Sequence, residues 1–422
     1  MPPAPPDDIA LLLQRPVAIL GGGVSGQGVL SLLADVGGVG QVYDEKAADA
    51  ANEFTAEQAR RHGLVVFSPG FTPDHKWLAV AHAAGCVCLG ELDFASLFWR
   101  GEVLAITGTN GKTTLTEFLT HALNLAGRRA HATGNVGYSF SRLVVEQTGR
   151  ADVAVCEVSS FQAETLQRLR PAATIWTNFA EDHLERHAGM NAYFAAKRRL
   201  LERTAPGSVF VGSSVQKYAE QSGNTLPAPA CIASEGQQAD ARLAGTVFAA
   251  YPQRENFLLA AAWWRHAGLP ETQLLAAAHS FRLGAHRLAK VAERRGVTFW
   301  NDSKATNFHA VEAALATFPA PVLWIGGGKA KGGDLGGFVR RIATRLKQAF
   351  LIGETQAALA GFCRDQQVPA APCASLDEAV RSAFARATTG DNILLSPGFS
   401  SFDMFRGYDD RGRQFERLVE NL

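Results

Sequence analysis

The 422-residue sequence lacks the features that mark several broad classes of protein. No apolar run is long enough to span a bilayer, which excludes a membrane-spanning helix. The six cysteines form no CxxC pair and no zinc-binding spacing, so we expect reduced thiols in a cytoplasm. The formal net charge is only +1, which implies no bulk attraction to nucleic acid or to an anionic membrane. No basic stretch followed by an apolar one occurs at the N-terminus, so we expect no signal peptide.

The composition that remains is that of a globular enzyme, with 47% hydrophobic and 19% charged residues. A chain of this length is expected to fold as about two to four domains, each with its own core. Apolar strands alternate with helical segments, which predicts an α/β fold built on parallel sheets. We place boundaries near residues 98 and 283, which gives three predicted domains at 1–98, 99–283 and 284–422.

The segment that organises the chain is VLAITGTNGKTT at 103–114. It predicts a buried strand, a glycine turn and a helix from about Leu115. Such a turn presents backbone N–H groups and a helix N-terminus to an anion. In that geometry Lys112 reaches the outer phosphates of a nucleotide, and the Thr113 hydroxyl holds Mg²⁺. The strict phosphate-loop pattern has a glycine where this chain has Ile106, so an ordinary strand-to-helix turn is the alternative.

An earlier glycine turn, 21–26, follows an apolar strand and fits a dinucleotide fingerprint. Asp44, at the end of the next predicted strand, lies close to the expected acidic position. However, only about 80 residues separate the two glycine loops, fewer than a complete dinucleotide domain usually takes. We therefore favour a nucleoside-diphosphate site, while NAD binding and a purely structural turn stay open.

Polar residues follow the central predicted strands. Glu157 closes the strand 152–157 just before a helix N-terminus, where a carboxylate can face Mg²⁺ bound to phosphate. Stabilisation of this carboxylate by the helix dipole is the alternative explanation. The run 178–187 carries Asp, His and Glu side chains that suit metal or phosphate chemistry, although solvated loops often have the same composition.

The last third of the chain has loops of the same kind. The polar run NDSKATN at 301–307 lies between a predicted hairpin, with its turn at Arg295-Gly296, and a helix from Phe308. The basic, glycine-rich loop 326–334 follows another strand and can bind a carboxylate or a phosphate. Repeated strand-to-loop patterns in three domains indicate a shared cleft.

In this order and spacing the motifs resemble those of the Mur ligase family, over essentially the whole chain. The matching segments are TGTNGKTT at 107–114, GNVG at 134–137, EVSSFQ at 157–162, NFAEDH at 178–183 and Lys197. NDSKATN at 301–307, with LSP at 395–397 and SFDMF at 401–405, is similar to the D-glutamate-adding branch. The resemblance implies a central ATPase domain between two Rossmann-like domains. Glu255, Ala289 and the run 398–400 depart from the family pattern.

The resemblance also implies roles for individual residues. Those expected to bind ATP are Gly108, Thr109, Asn110, Gly111, Lys112, Thr113, Thr114, Asn256, Arg287 and Asp302. Those expected to bind a uridine nucleotide are Val24, Ser25, Ser68, Gly70 and Asn135. Those expected to bind an amino acid are Lys304, Thr306, Lys331, Ser401, Phe402 and Tyr408. The expected Mg²⁺ ligands are Thr113, Glu157, His183 and Lys197, the last being a lysine that the family carbamylates. The expected catalytic residues are Lys112, His183 and Lys197.

The activity implied is an ATP- and Mg²⁺-dependent ligase of peptidoglycan precursor synthesis. It would form an amide bond between UDP-N-acetylmuramoyl-L-alanine and D-glutamate through an acyl phosphate, as a cytoplasmic monomer without nucleic-acid or membrane partners. Three alternatives stay open at this point: another ligase of the superfamily, such as a folate polyglutamate ligase; an NAD-dependent oxidoreductase that uses the turn 21–26; and a nucleotide-binding regulatory module.

Overall fold

The computed structural model describes residues 3–46, 51–136, 139–147, 152–227, 231–233 and 240–422. They form two compact units. The first unit comprises Met1–Phe179, Asn191–Thr246 and Glu255–Phe281, and the second comprises Ala180–Met190, Val247–Arg254 and Arg282–Leu422. The first unit contains two sheets and the second contains one. The three-domain boundaries near residues 98 and 283 stay predictions.

The amino-terminal part of the first unit is a four-stranded parallel sheet in the order β2-β1-β3-β4. Its strands are β1 (Val17–Leu20), β2 (Gly40–Tyr43), β3 (Leu64–Phe67) and β4 (Val87–Gly90). Its helices are α1 (Asp7–Leu12), α2 (Val24–Asp35), α3 (Ala56–Ala59), α4 (Lys76–Ala83) and α5 (Glu91–Ser96). Val17 and Ile19 belong to one hydrophobic core, and Ala18 and Leu20 belong to another. Both faces of the sheet are therefore packed, which explains why its inner strands are continuous apolar runs.

The second sheet of this unit has six parallel strands in the order β10-β9-β8-β5-β7-β6. The strands are β5 (Glu102–Thr107), β6 (Ala130–Gly134), β7 (Val153–Glu157), β8 (Ala173–Trp176), β9 (Val209–Gly212) and β10 (Cys231–Ala233). The helices are α6 (Lys112–Leu125), α7 (Phe140–Glu146), α8 (Ser160–Ala163), α9 (Met190–Leu201), α10 (Ser213–Ser222), α11 (Gln253–His266) and α12 (Glu271–Ser280), with a 3-10 turn at Ala241–Leu243. β5 lies inside the sheet, so the phosphate loop begins at the centre of its carboxyl edge.

The two sheets of the first unit share one hydrophobic core. Gly28 of α2 lies against the start of α7, because a Cβ on this residue would be 2.0 Å from Ser139 Oγ. Asp93 of α5 is fully buried, and its carboxylate accepts hydrogen bonds of 2.7, 2.9 and 2.9 Å from the successive backbone N–H groups of 167–169. Close helix packing and a buried carboxylate thus join the amino-terminal sheet to the central one.

The second unit contains a six-stranded sheet in the order β11-β12-β16-β13-β14-β15. Its strands are β11 (Ala289–Arg294), β12 (Val297–Asn301), β13 (Val322–Gly327), β14 (Leu346–Ile352), β15 (Ala370–Pro372) and β16 (Asn392–Leu395). Its helices are α13 (Phe308–Ala316), α14 (Leu335–Ile342), α15 (Gln356–Asp365), α16 (Leu376–Arg386) and α17 (Tyr408–Glu420), with a 3-10 turn at Ala343–Arg345. The predicted hairpin is confirmed: β11 and β12 are antiparallel, and Arg295 and Gly296 both have positive φ, as the tight primed turn requires. The other pairings of this sheet are parallel.

Within the described ranges, no helix is long and apolar enough to cross a membrane. The five cysteines whose side chains are described are free and buried: Cys86, Cys88, Cys156, Cys363 and Cys373.

Candidate functional site

The phosphate loop joins β5 to α6, as predicted, and two of its positions require glycine. Gly108 has a φ of 149° and Gly111 a φ of 80°, values that L side chains rarely adopt. A Cβ at Gly108 would lie 1.9 Å from Thr177 Oγ1, and one at Gly111 would lie 2.7 Å from Asn256 Oδ1. Gly111 directly precedes α6, so the loop N–H groups lie at a helix N-terminus, where phosphate binds favourably.

The segment after β8 supports this loop. The Asn110 N–H donates to Asn178 Oδ1 at 2.8 Å, and the Thr109 N–H donates to the Asn178 carbonyl at 3.0 Å. Thr177 Oγ1 donates to the Asn110 carbonyl at 2.6 Å. Thr177 and Asn178 therefore fix the conformation of the loop. The sequence analysis grouped Asn178 with the acidic run that follows it and did not predict that it supports the loop. The position of Asn178 directly after a buried strand is the one sequence signal for this role.

Two lysines direct their ammonium groups at the phosphate loop. Lys112 Nζ donates to the carbonyls of Gly108 and Thr109, both at 2.9 Å. Lys197 Nζ donates to the Gly108 carbonyl at 2.9 Å and lies 3.3 Å from Thr107 Oγ1. Lys197 is only 1% exposed. Lys197 therefore lies beside the phosphate loop, and its carbamylation stays a prediction.

Glu157 ends β7 and is 2% exposed. Its Oε1 accepts a hydrogen bond of 2.9 Å from Asn135 Nδ2. Its Oε2 is buried and has no hydrogen-bond partner among the described residues. An unsatisfied buried carboxylate oxygen costs free energy, and a hard cation such as Mg²⁺ prefers this type of ligand. The residues present therefore fit a magnesium site better than a carboxylate that is stabilised by a helix dipole alone.

The protein carboxylates would not complete such a site by themselves. In the part of the chain that the structure describes, no group of three or more His, Cys, Asp or Glu is arranged to hold a metal ion. Magnesium usually keeps several waters and binds one or two carboxylates together with substrate phosphates. Thr113, at the start of α6, and Lys197 are the other expected ligands on the same unit, and both are buried. The donor set thus fits an ion that binds with a nucleotide.

The turn after β1 also requires glycine. Gly21 has a φ of 96°, and a Cβ on Gly26 would lie 1.9 Å from the Gly21 carbonyl oxygen. Asp44 Oδ2 accepts a hydrogen bond of 2.7 Å from the Gly22 N–H, and its Oδ1 accepts one of 2.9 Å from the Lys46 N–H. The acid that suggested NAD therefore holds the turn itself. The described sheet also has four strands, whereas a complete dinucleotide domain has about six.

Four of the five residues predicted to bind a uridine nucleotide lie at the carboxyl edge of this first sheet. Val24, which is 70% exposed, and Ser25 begin α2. Ser68 and Gly70 follow β3, and Ser68 lies against the turn, because a Cβ at Gly21 would be 2.8 Å from its Oγ.

The fifth of these residues, Asn135, follows β6 of the second sheet of the same unit and contacts Glu157. The predicted turn around it is described only as far as Val136, since Gly137 lies outside the described residues.

In the second unit, Asp302 lies directly after β12 and is 9% exposed. Ser396 Oγ donates to its Oδ2 at 2.8 Å, and the Leu288 N–H donates to its Oδ1 at 3.0 Å. Burial raises the pKa of Asp302 to about 7, although these two donors and the Arg287 charge act in the opposite direction. Two residues predicted to bind ATP, Arg287 and Asp302, are therefore electrostatic neighbours.

Four of the six residues predicted to bind an amino acid form two pairs in the second unit, and Ser401 and Phe402 belong to neither pair. Lys304 Nζ lies 3.8 Å from the centroid of the Tyr408 ring, in a cation–π contact. Thr306 and Lys331 line one pocket. Phe402 is on the surface, with 71% of its area exposed, and none of these contacts includes it.

His183 has a φ of 56°, which is unusual for a residue with a side chain. Its Nε2 lies 3.7 Å from Asp182 Oδ2, and its Nδ1 lies 3.3 Å from Glu185 Oε1. Burial lowers the pKa of His183, and the Lys331 charge lowers it further, while Asp182 and Glu185 raise it. A neutral imidazole is the form that binds a metal.

The predicted catalytic and metal residues are divided between the two units. Lys112, Glu157 and Lys197 belong to the first unit, and His183 belongs to the second. The joint action of these residues stays a prediction.

Similarity to known proteins extends over nearly the whole chain. Residues 106–267 match the family model of the Mur ligase middle domain, and residues 286–399 match that of the Mur ligase, glutamate ligase domain. The chain is 35% identical to UDP-N-acetylmuramoylalanine--D-glutamate ligase of Gloeobacter violaceus, over 96% of this chain and 99% of the relative. The chain belongs to the Mur ligase family. A protein with the same name from Frankia casuarinae is 39% identical to this Mur ligase, over 84% of this chain and 80% of the relative.

Solved structures share the fold of this Mur ligase. UDP-N-acetylmuramate-alanine ligase of Thermotoga maritima gives a TM-score of 0.61 at 14% identity, over 96% of this chain and 99% of that protein. The MurF ligase of Thermotoga maritima, solved with ADP, gives 0.60 at 14% identity, over 87% of this chain and 97% of that protein. These similarities confirm the predicted α/β fold.

One buried side chain of this Mur ligase has no signal among the sequence motifs. Arg411 of α17 is 0% exposed, and burial lowers its pKa to about 10. Its Nε donates to Ser303 Oγ at 3.0 Å and its Nη2 to the Ser303 carbonyl at 2.9 Å, while Nη1 and Nη2 both donate to the Phe399 carbonyl at 3.3 Å. Ser303 directly follows Asp302, and Phe399 lies two residues before Ser401. One guanidinium thus joins two loops that carry predicted ligand-binding residues.

Proposed function

We propose that this Mur ligase joins UDP-N-acetylmuramoyl-L-alanine to D-glutamate, with ATP as the energy source and Mg²⁺ as the cofactor, in peptidoglycan precursor synthesis. The observation that carries the proposal is 35% identity over 96% of the chain to a relative named for this reaction. The phosphate loop supports the use of ATP independently, because its glycines, Lys112 and the N-terminus of α6 form an anion site.

The first proposed step is phosphoryl transfer. The alanine carboxylate of the uridine nucleotide attacks the γ-phosphorus of ATP, ADP leaves, and an acyl phosphate results. Loop N–H groups and the Lys112 ammonium hold the phosphates and neutralise their charge, so that catalysis consists of positioning and electrostatic stabilisation. Asn256, Arg287 and Asp302 are proposed to hold the rest of the nucleotide.

The second proposed step forms the amide. The glutamate amine attacks the acyl carbon, inorganic phosphate leaves, and the nitrogen gives up a proton. The oxyanion that develops on the acyl oxygen needs positive charge or hydrogen-bond donors nearby. Closure of the domains would exclude water, because an acyl phosphate is easily hydrolysed.

Magnesium would be held by Glu157, Thr113, His183 and a carbamylated Lys197 in this proposal. The buried Glu157 oxygen without a described partner supports the first of these ligands. When bound, the ion supplies positive charge at the phosphate oxygens. We read His183 as a metal ligand, and its lowered pKa favours the neutral imidazole that this role requires.

The substrate sites are proposed on either side of the phosphate loop in sequence. The uridine nucleotide would bind at the glycine turn that begins α2, where N–H groups and the helix N-terminus favour a diphosphate. D-Glutamate would bind in the second unit, where Lys331 and the Ser401 hydroxyl would donate charge-assisted hydrogen bonds to its carboxylates. Lys304, Thr306, Phe402 and Tyr408 complete the proposed amino-acid site.

We also propose that the enzyme acts in the cytoplasm as a monomer and that its partners are small molecules. The net charge of +1 supports the last part of this proposal, because it gives no bulk attraction to nucleic acid or to anionic lipid. Size-exclusion chromatography with light scattering tests the oligomeric state, and a mass near twice that of the chain would overturn the monomer.

The decisive experiment measures phosphate release from ATP and Mg²⁺ in the presence of UDP-N-acetylmuramoyl-L-alanine. D-Glutamate, L-glutamate, D-aspartate and meso-diaminopimelate are supplied one at a time. Release with D-glutamate alone is expected. Release with L-glutamate instead would overturn the stereochemistry and direct attention to the departures at 398–400. No release with any amino acid, together with tight NADH binding, would support an oxidoreductase instead.

A further inference from the structure

The second unit contains a small pocket whose lining carries both signs of charge. Lys331 and the Thr306 hydroxyl are on its wall, and so are the carboxylates of Glu181 and Asp182. A free amino acid has the matching pattern, since it carries a cationic amine beside an anionic carboxylate. A pocket for such a ligand needs a carboxylate that is available to accept hydrogen bonds from the amine.

Asp182 is already bonded within the protein. Its Oδ1 accepts the His183 N–H at 2.9 Å and lies 3.5 Å from Lys331 Nζ. Its Oδ2 accepts a hydrogen bond of 3.0 Å from Asn307 Nδ2. Both oxygens are therefore engaged in holding the local chain and the neighbouring side chains.

Glu181 differs from its neighbour. Its Oε1 is buried and has no hydrogen-bond partner among the residues that the structure describes. Gly333, with a φ of 101°, lies against this oxygen, because a Cβ on Gly333 would be 2.4 Å away. A buried charged oxygen without a donor is unfavourable unless a ligand supplies one. Because residue 333 is glycine, no side chain clashes with the Glu181 carboxylate at this position.

We propose that Glu181 binds the ammonium group of the incoming amino acid. Thr306 and Lys331 then face the carboxylates of the same ligand, and Asp182 holds Lys331 and Asn307 in place. The inference rests on the proposed function. It assigns to Glu181 the recognition of the amine, which an amino acid has and a simple dicarboxylate lacks.

The test compares D-glutamate with glutarate, which is the same five-carbon dicarboxylate without the amine. Calorimetry measures the affinity of each ligand for the full-length protein in the presence of the uridine substrate and a non-hydrolysable ATP analogue. In Glu181→Gln the affinity for D-glutamate is expected to fall about ten- to a hundredfold, because a charge-assisted hydrogen bond is lost. The affinity for glutarate is expected to stay unchanged, which also shows that the pocket is folded. Glu354→Gln, an exposed change on the same unit, is the control.

Two further variants sharpen this comparison. Glu181→Asp keeps the negative charge. The ratio of its affinities for D-glutamate and glutarate should therefore stay closer to the wild-type ratio than that of Glu181→Gln. Gly333→Ala, which places a methyl group on the Glu181 oxygen, should reduce D-glutamate binding.

Several outcomes would overturn the role of Glu181. Equal losses for both ligands would indicate a structural residue, and no loss for either would remove Glu181 from the site. A higher Mg²⁺ requirement with unchanged discrimination would make it a metal ligand. Turnover of the wild-type enzyme with D-glutamate separates these failures from a failure of the proposed function, in which the wild-type protein binds neither ligand and releases no phosphate.

Discussion

Lys112 and Lys197 donate to the same oxygen, the carbonyl of Gly108, and both hydrogen bonds are 2.9 Å long. The two residues are 85 positions apart, on α6 and α9, and Lys197 is buried. Two ammonium groups that converge on one carbonyl repel each other, and this repulsion is relieved by negative charge nearby. The unmodified pair thus places two positive charges at the first glycine of the phosphate loop, and the proposed carbamylation of Lys197 would relieve their repulsion and leave Lys112 to face the phosphates.

Lys112→Ala is therefore expected to abolish ligation while the protein remains folded. Lys112 donates to two loop carbonyls and is not part of a hydrophobic core, so its loss removes charge from the phosphate site. We expect the turnover number to fall by about a thousandfold or more, as for other groups that stabilise a transferring phosphoryl group. Phosphate release and thermal unfolding are measured together. Lys217→Ala, an exposed change on α10, should leave both unchanged, and a folded, fully active Lys112→Ala protein would refute the assignment of the loop.

Glu157→Gln tests the metal site. The amide of the variant can still accept the hydrogen bond from Asn135. It carries no negative charge, however, where wild-type Glu157 has a buried Oε2 without a described partner. The Mg²⁺ concentration that gives half-maximal activity is expected to rise about tenfold or more, since carboxylate charge dominates binding of this ion. Stability in the presence of EDTA should not fall. A large loss of stability in EDTA with an unchanged Mg²⁺ dependence would instead make Glu157 a structural residue. Glu146→Gln, at the surface, is the control.

The local parts of this architecture were accessible from the sequence. The phosphate loop, the Arg295-Gly296 hairpin and the glycine turn after β1 were predicted because glycine positions and apolar runs determine them over a few residues. The structure confirms the elements at these places.

What could not be predicted depends on contacts between distant residues. Arg411 meets Ser303 across 108 positions, and Asn178 meets Asn110 across 68. No periodicity or spacing reports such pairs, since they arise only when strand ends and helices are brought together. The role of Asp44 was missed for a related reason. Its position after a strand predicts where the carboxylate lies, but not that this carboxylate accepts a hydrogen bond from the Gly22 N–H.

Asp302 is expected to make stability depend on pH. Its pKa in the folded chain is about 7, raised mainly by burial from an ordinary value of 3.8. Between these two values the folded state binds more protons than the unfolded state, so the contribution of Asp302 to stability falls as the pH rises and is lowest above about pH 7. In Asp302→Asn this component disappears. As the pH rises from 4 to 8, the unfolding free energy of the variant should therefore increase by about 2–4 kcal/mol relative to that of the wild type.

Urea unfolding at several pH values checks this expectation for both proteins. If the two stability curves run parallel from pH 4 to pH 8, Asp302 is ionised throughout and the account of its burial is wrong. Asp365→Asn, at an exposed position on α15, serves as the control and should leave the wild-type curve unchanged.

Arg411→Met is expected to weaken both the fold and the amino-acid site. Methionine fills much of the same volume but leaves the carbonyls of Ser303 and Phe399 without their donor, at a cost of about 1–3 kcal/mol for each unsatisfied group. Because these loops carry residues proposed to bind ATP and the amino acid, the KM for D-glutamate should rise severalfold while that for the uridine substrate changes little. Arg413→Met, two positions along α17 and exposed, should affect neither. Urea unfolding and steady-state kinetics provide the comparison, and an equal rise in all three KM values would show that Arg411 supports the whole fold rather than these two loops.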